Sequence, residues 1–188
     1  KHTMKKLVIL KRFIMLLVFS FVIIKIESKG SLFFRQERDG LNGDVFYCYK
    51  FRSMQINKQA DITQVQKEDH RITRTGKFIR KTSIDELPQF FNVLLGDMSV
   101  VGPRPHMLVH TEKYSKQIDK YMVRHFVKPG ITGLAQARGY RGEIQSTEDM
   151  ENRIRLDIYY IENWSFFLDL KIIFQTILNL FKTQERAY

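Results

Sequence analysis

The feature that most constrains the fold is Pro88, set between the polar run Arg80-Lys81-Thr82-Ser83-Ile84-Asp85-Glu86-Leu87 and the apolar Gln89-Phe90-Phe91-Asn92-Val93-Leu94-Leu95. Proline has no N–H to donate and fits a helix only in its first turn. A helix is therefore expected over residues 86–95, with Gly96 as its stop. The adjacent carboxylates Asp85 and Glu86 must lie at or beside its N-terminus. Exposed backbone N–H groups there favour anions, whether an ionised carboxylate or a bound phosphate. Downstream, Gly102-Pro103-Arg104-Pro105 is a stiff turn that holds a guanidinium in a set direction. A carboxylate pair facing a fixed Arg suits phosphoryl chemistry.

A plainer reading fits the same residues. An Asp before an apolar helix is usually an N-cap, worth about 0.5–2 kcal/mol. Ser83 and Glu86 also match the S-x-x-E capping box, in which both side chains serve the helix end.

Charge points to an anionic partner. The 188 residues carry a net +11, against an otherwise ordinary composition of 44% hydrophobic and 27% charged residues. The basic residues are spread out: Lys5, Lys6, Lys11 and Arg12 flank an apolar run, and Lys77, Arg80 and Lys81 precede the carboxylates. No zinc-finger spacing, helix-turn-helix signature or glycine-rich aromatic RNA motif supports nucleic acid as that partner. A membrane surface or a phosphorylated substrate is favoured instead. Cys48 is the only cysteine, so no intrachain disulfide can form.

Residues 13–24 form a run of twelve without a charge. As a helix it would be about 18 Å long, short of a hydrocarbon core of about 30 Å. Extension back to Leu7 takes in Lys11 and Arg12, each costing about 2.5–3.5 kcal/mol at mid-membrane unless it snorkels. A monotopic anchor is preferred here over a tilted span or a buried helix. Lys1-His2-Thr3, ahead of Met4, reads as a cloning remnant; residues 4–29 are assigned to the anchoring helix and 30–188 to one catalytic domain.

Within that domain, strands are expected near 32–36 and 45–51, with Asp39-Gly40 and Asn42-Gly43 turning between them. Residues 55–72 read as a polar loop. Further helices are expected over 106–120, 147–162 and 164–181. The last carries Phe167, Leu170, Phe174, Ile177 and Phe181 on one stripe, either core or a bilayer-interface face with Trp164 at headgroup level. The fold class is α+β: a mostly helical single domain with a small β-hairpin and a membrane-associated N-terminal helix.

The blocks Phe33-Phe34-Arg35-Gln36-Glu37-Arg38, Tyr49-Lys50-Phe51-Arg52-Ser53-Met54, Arg80–Gln89, Gly96–Pro105, Lys128–Gln136, Gly139–Glu143, Asp157–Tyr160 and Asp169–Ile172 closely resemble the bacterial sugar transferases, or monotopic phosphoglycosyl transferases. The undecaprenyl-phosphate glucose or galactose phosphotransferases of that family are the nearest in pattern, and many carry extra N-terminal membrane helices and a further domain. This chain then reads as a minimal form or a truncation. The family's re-entrant anchor bends at a Ser-Pro pair, whereas prolines occur here only at 88, 103, 105 and 129.

The resemblance implies a covalent mechanism. Asp85 would attack the sugar-proximal phosphate of a UDP-sugar and expel UMP, and undecaprenyl phosphate would then take the phosphosugar, in ping-pong fashion. This is the first membrane step of surface polysaccharide synthesis, on the cytoplasmic face of the bacterial inner membrane. Mg²⁺ is the implied cofactor, with Glu86 as its ligand and Asp85 sharing it. Arg80 and Arg104 would bind phosphate oxygens bidentately. Lys50 and Arg52 alternate along a strand and so face the same side, toward anions or simply toward solvent.

Gln136 and Arg141 flank a glycine-containing loop that would close over sugar or uridine. Asp157 and Asp169 are read as structural. His106 and His110, at i and i+4, lack the further ligand a metal site needs. The partners implied are a UDP-sugar, undecaprenyl phosphate and membrane lipids, with no nucleic acid; self-association is left open. Two rivals remain: a basic surface- or nucleic-acid-binding protein whose carboxylates merely cap a helix, and a catalytically idle assembly partner of the same fold.

Overall fold

The computed structural model describes residues 23–57, 63–66 and 69–181. Aromatic-rich runs on either side of Asn42-Gly43 pair as an antiparallel hairpin. Its strands are β1 (Phe33–Asp39) and β2 (Val45–Phe51), in register from Phe33 opposite Phe51 to Asp39 opposite Val45. The connecting 3-10 turn Leu41–Gly43 needs positive φ at Asn42 (57°) and Gly43 (83°), conformations these two residue types tolerate. The second strand has the bounds expected for it, and the first runs on to Asp39.

Helix α1 (Arg74–Lys81) has no apolar run to announce it. Polar caps make it instead. The Thr73 hydroxyl accepts the Gly76 N–H at 2.9 Å, and the Glu27 carboxylate accepts the Arg74 and Thr75 N–H groups at 2.6 and 2.9 Å. Gly76 lies against the Ser53 carbonyl, where a Cβ would collide, so the helix sits close on the chain leaving β2.

The helix expected over 86–95 is split. Ile84–Glu86 is a 3-10 turn, and α2 (Gln89–Leu95) begins after Pro88, whose φ of −61° suits the N-cap position it occupies. The capping box does not form, because Ser83 is in the left-handed region (φ 58°) and makes no cap hydrogen bond. Four of the N–H groups at this end are not open to an anion. Those of Glu86, Leu87, Phe90 and Phe91 are taken by the carbonyls of Ser83, Ile84, Leu87 and Pro88.

The short strands β3 (Ser99–Val101) and β4 (Gly130–Thr132) pair in parallel, Ser99 opposite Gly130 and Val101 opposite Thr132. Between them α3 covers only Leu108–Tyr114 rather than 106–120, and Lys120 (φ 59°) leads into a 3-10 turn at Tyr121–Phe126. The fold-back buries Tyr114, Ile118 and Tyr121 against Met150 and Ile154. That burial outweighs continuing the helix.

The remaining helices are α4 (Leu134–Ala137), α5 (Thr147–Glu162) and α6 (Phe166–Phe181). α5 starts where Ser146 accepts the Asp149 N–H at 3.1 Å, the expected bounds. Small sheets among helices make the class α+β.

Asp157 and Asp169 act as tethers. Asp157 pairs with Arg124 at 2.9 Å, both side chains buried, and Asp169 accepts the Tyr160 hydroxyl at 2.8 Å. On α6, Ile172 is buried with Val101, Leu134, Ala137 and Tyr160, and Leu168 and Ile173 pack against that cluster. The sequence stripe is not core: Phe167 (80%), Leu170, Phe174 and Ile177 are exposed. The Phe181 side chain is not among those described. On α2, Phe90, Phe91, Leu94 and Leu95 are exposed as well.

Among the described residues no helix is long and apolar enough to cross a membrane. Most of the anchor expected over 4–29, and the remnant 1–3, lie outside them. The described end is a short helical stretch over 23–27, with Ile24 buried against Leu32, Phe51 and Ile79.

Candidate active site

Asp85 and Glu86 open on to a cleft of about 400 Å³ between the hairpin, α1 and the Gly102–Pro105 turn, lined by Lys50, Arg52, Arg71, Arg80, Arg104 and Arg141 among others. The hairpin delivers Lys50, the 3-10 turn delivers the carboxylates, and the stiff turn delivers Arg104. Asn92 locks these parts together. It is fully buried, donates to the Tyr47 carbonyl at 2.8 Å and accepts the Tyr49 N–H at 3.0 Å, fixing α2 to the strand that carries Lys50.

Glu86 is the hub. Its Oε1 takes Lys50 Nζ at 3.3 Å and a short contact from Arg104, and its Oε2 takes Arg104 Nη1 at 3.4 Å and lies 3.6 Å from Arg141. Burial would raise its pKa, but Arg104, Lys50 and Arg141 together hold it well below the usual carboxylate range. Glu86 in turn raises Arg104 against the opposing effect of burial, while burial lowers Lys50 despite Glu86.

Asp85 behaves oppositely. Burial, then the charge of Glu86, pushes its pKa up to about 6, with Lys50, Arg80 and Arg141 only partly offsetting this. Adjacent carboxylates with pKa values driven apart are what a division of roles between nucleophile and permanent anion requires.

Of the cations expected at the site, Lys50, Arg52, Arg80, Arg104 and Arg141 all line the cleft. Arg80 sits 3.3 Å from the Ser53 hydroxyl, and Arg141 donates to the Ser83 hydroxyl at 2.7 Å. Gln136 is elsewhere. It lines a separate cavity of about 100 Å³ behind Glu86, between α2 and α6, and donates to the Ile131 carbonyl at 3.1 Å. Its position on α4, one residue past the Gly133–Ala135 start, turns it into the protein and away from the cleft. His106 is held within the core: its buried Nδ1 meets the Tyr121 hydroxyl at 2.8 Å and a short contact from Arg124.

No group of three or more acidic, His or Cys side chains gathers to cage a metal among the described residues. Two adjacent carboxylates still fit Mg²⁺, which commonly takes one or two from protein and the rest from phosphate and water.

Sequence reasoning missed Arg71, which lines the cleft beside Arg52 and forms a bidentate pair with Asp69 (2.6 and 2.9 Å). It also missed Asn92, whose only signal was a polar residue amid an apolar run. Arg38, from the block Phe33–Arg38, and His110 line the cleft too, as does Arg153, which no sequence motif marks.

The family model described as "Bacterial sugar transferase" matches residues 2–183. A UDP-glucose:undecaprenyl-phosphate glucose-1-phosphate transferase of Klebsiella pneumoniae is 55% identical over 84% of the chain and 34% of its own length. One of the same description from Caulobacter vibrioides is 48% identical over 92% of the chain and 65% of its length. A UDP-N-acetylgalactosamine-undecaprenyl-phosphate N-acetylgalactosaminephosphotransferase of Aeromonas hydrophila is 48% identical over 83% and 37%. The chain thus spans about a third of the length of most of these relatives.

Proposed function

From the premise that the chain belongs to the bacterial sugar transferase family, we propose that it moves a phosphosugar from a UDP-sugar to undecaprenyl phosphate through an intermediate on Asp85. The observation that carries this is the pairing of a buried Asp with a raised pKa and a Glu clamped by three cations in one cleft.

In the first displacement an Asp85 Oδ forms a bond to the sugar-proximal phosphorus and the bond to the bridging oxygen breaks, so UMP leaves with the electron pair. In the second, an oxygen of undecaprenyl phosphate attacks the same phosphorus and the Asp85 oxygen leaves. No proton has to move, since both nucleophiles are anions. The difficulty is repulsion, and the cations answer it. Arg104, Lys50 and Arg141 can exchange Glu86 for phosphate oxygens when the donor enters; Glu86, with Asp85, would be the residues to hold Mg²⁺. That ion, when bound, supplies Lewis-acid stabilisation of the phosphate charge. Arg80 faces the same anions.

Membrane association rests on the exposed apolar side chains of α2 and α6. Phe90 of α2 and Leu180 of α6 share the wall of the small cavity, so the two faces adjoin. Together they form a surface suited to lie at the bilayer interface.

The test is UMP release by the purified chain with undecaprenyl phosphate, Mg²⁺ and a panel of UDP-sugars. Turnover that disappears in Asp85→Asn supports the reading; turnover that persists in the variant overturns Asp85 as nucleophile.

A further inference from the structure

The cleft is chemically two-ended. At the Glu86 end three cations share one carboxylate: Lys50, Arg104 and Arg141 all pair with Glu86. At the other end, Arg52 and Arg71 have more donors than partners. Arg52 is 8% exposed and gives Nη2 to the Ser28 carbonyl at 2.6 Å, but its Nε and Nη1 are buried with no hydrogen-bond partner among the described residues. Arg71, also 8% exposed, spends Nε and Nη2 on Asp69, and its Nη1 is buried with no partner among the described residues. Buried guanidinium N–H groups without acceptors are rare, because each has lost its water and gained nothing in return. Three of them on two neighbouring arginines lining one cleft form a site waiting for an oxyanion. The two belong to adjoining chain segments: the Gln55 N–H donates to the Arg71 carbonyl at 2.9 Å, and Met54 bridges Ile72.

The surroundings select the kind of oxyanion. A Cβ at Gly30 would collide with both Arg52 Nη1 and Ile56 Cδ1, so the unpartnered nitrogen and that Ile are immediate neighbours. Phe33, stacked on Phe51 at 5.6 Å, with Met54, Ile56 and Val65, lines this part of the cleft, and Phe33 and Ile56 are exposed. Arg52 is tied through Ser28 to the chain just after the uncharged run 13–24. Buried donors beside exposed apolar side chains suit an amphiphilic anion, a phosphate on a hydrocarbon chain. Polar side chains, Ser53, Gln55 and Asn57 among them, line the cleft as well, and it is the apolar neighbours of the Arg52 guanidinium that favour a hydrocarbon chain over a nucleotide there.

We propose that Arg52 and Arg71 form a second phosphate subsite, separate from the Asp85–Glu86 centre, that takes the phosphate of the lipid acceptor. This rests on the transfer reaction proposed above. Neither Arg52 nor Arg71 pairs with Asp85 or Glu86 among the ion pairs of the described residues, so both stay available for a second anion. The acceptor can then be captured while Asp85 carries its phosphosugar.

Two measurements test the assignment on the full chain in detergent. The first follows thermal midpoints with undecaprenyl phosphate, with uncharged undecaprenol, with inorganic phosphate and with UDP-glucose plus Mg²⁺. Wild type should be stabilised by undecaprenyl phosphate and, at higher concentration, by inorganic phosphate, but not by undecaprenol. Arg52→Gln and Arg71→Gln should lose the response to both phosphates and keep that to UDP-glucose. This arm reads binding alone, so it decides the subsite even if the transfer reaction fails. The second measures KM for each substrate: the variants should raise KM for undecaprenyl phosphate at least tenfold and leave that for the UDP-sugar within twofold. Arg52→Lys, which keeps the charge but not the planar fork, should fall between. A retained response to undecaprenyl phosphate in both glutamine variants, or a rise in the UDP-sugar KM equal to that of the lipid, would overturn the proposal. A phosphate response matched by undecaprenol would also overturn it, by showing that only the hydrocarbon is recognised.

Discussion

Replacing Asp85 by Asn should stabilise the protein while removing its activity. A carboxylate raised from 3.8 in the unfolded chain to about 6 in the fold is costly to keep ionised. Below pH 4 it is protonated in both states and the cost vanishes. Between pH 4 and 6 the folded state binds the extra proton, so stability falls as pH rises, and above 6 the full cost is present. The gap corresponds to about 3 kcal/mol as a ceiling. Asn keeps the shape and drops the charge but still buries a polar amide, so about half of that is expected, a gain of about 3–6 °C in Tm for a chain this size. The assay is thermal unfolding of wild type and Asp85→Asn without ligands, at pH 8 and again at pH 4. A gain at pH 8 that disappears at pH 4 is predicted. An equal gain at both pH values would assign the effect to packing, and a variant less stable at pH 8 would refute the account of Asp85 as a buried, strained anion.

Asp85 must be ionised to attack, so kcat/KM for the UDP-sugar should fall on the acid side, with the limb displaced below about 6 as Mg²⁺ beside the carboxylate favours its charged form, read from initial rates across pH 4–8 at two Mg²⁺ concentrations. At the tether, Arg124→Met should cost about 3–5 kcal/mol in urea unfolding because it strands Asp157 in the core, and adding Asp157→Leu should recover much of the loss. On the apolar face, Leu94→Glu with Phe174→Glu should lower binding to phospholipid vesicles at least tenfold, given about 1.5–3 kcal/mol for each large side chain removed from water; unchanged flotation would place the membrane contact elsewhere.

Much of the site could be read from the sequence because its parts are local. Pro88 announced a helix start, the Pro-flanked Arg104 announced a fixed guanidinium, and strand alternation put Lys50 and Arg52 on one side. What escaped depended on contacts between distant segments. α1 is made by Glu27, 47 residues before Arg74 in the chain, and no local pattern carries that. Asn92 and Arg71 matter through partners on other elements. The capping box failed for a related reason: Ser83 is turned to a positive φ and accepts from Arg141, 58 residues away, so a tertiary bond displaced the local one. Gln136 and Arg141 flank one glycine-containing loop in the sequence, yet the short α4 buries Gln136 against β4 while the loop after it carries Arg141 to Glu86. The stripe on α6 was found correctly as a stripe; only burial could tell that it faces outward.

The central claim is that Asp85 carries the phosphosugar before the lipid arrives. It is tested most directly by incubating the protein with a UDP-sugar and Mg²⁺ in the absence of undecaprenyl phosphate, quenching, and mapping any adduct by mass spectrometry alongside UMP release. One phosphosugar on the peptide containing Asp85, with about one equivalent of UMP and neither in Asp85→Asn, is the predicted result. UMP released only when lipid is present, with no adduct at any time under turnover, would contradict it and leave direct transfer from donor to acceptor.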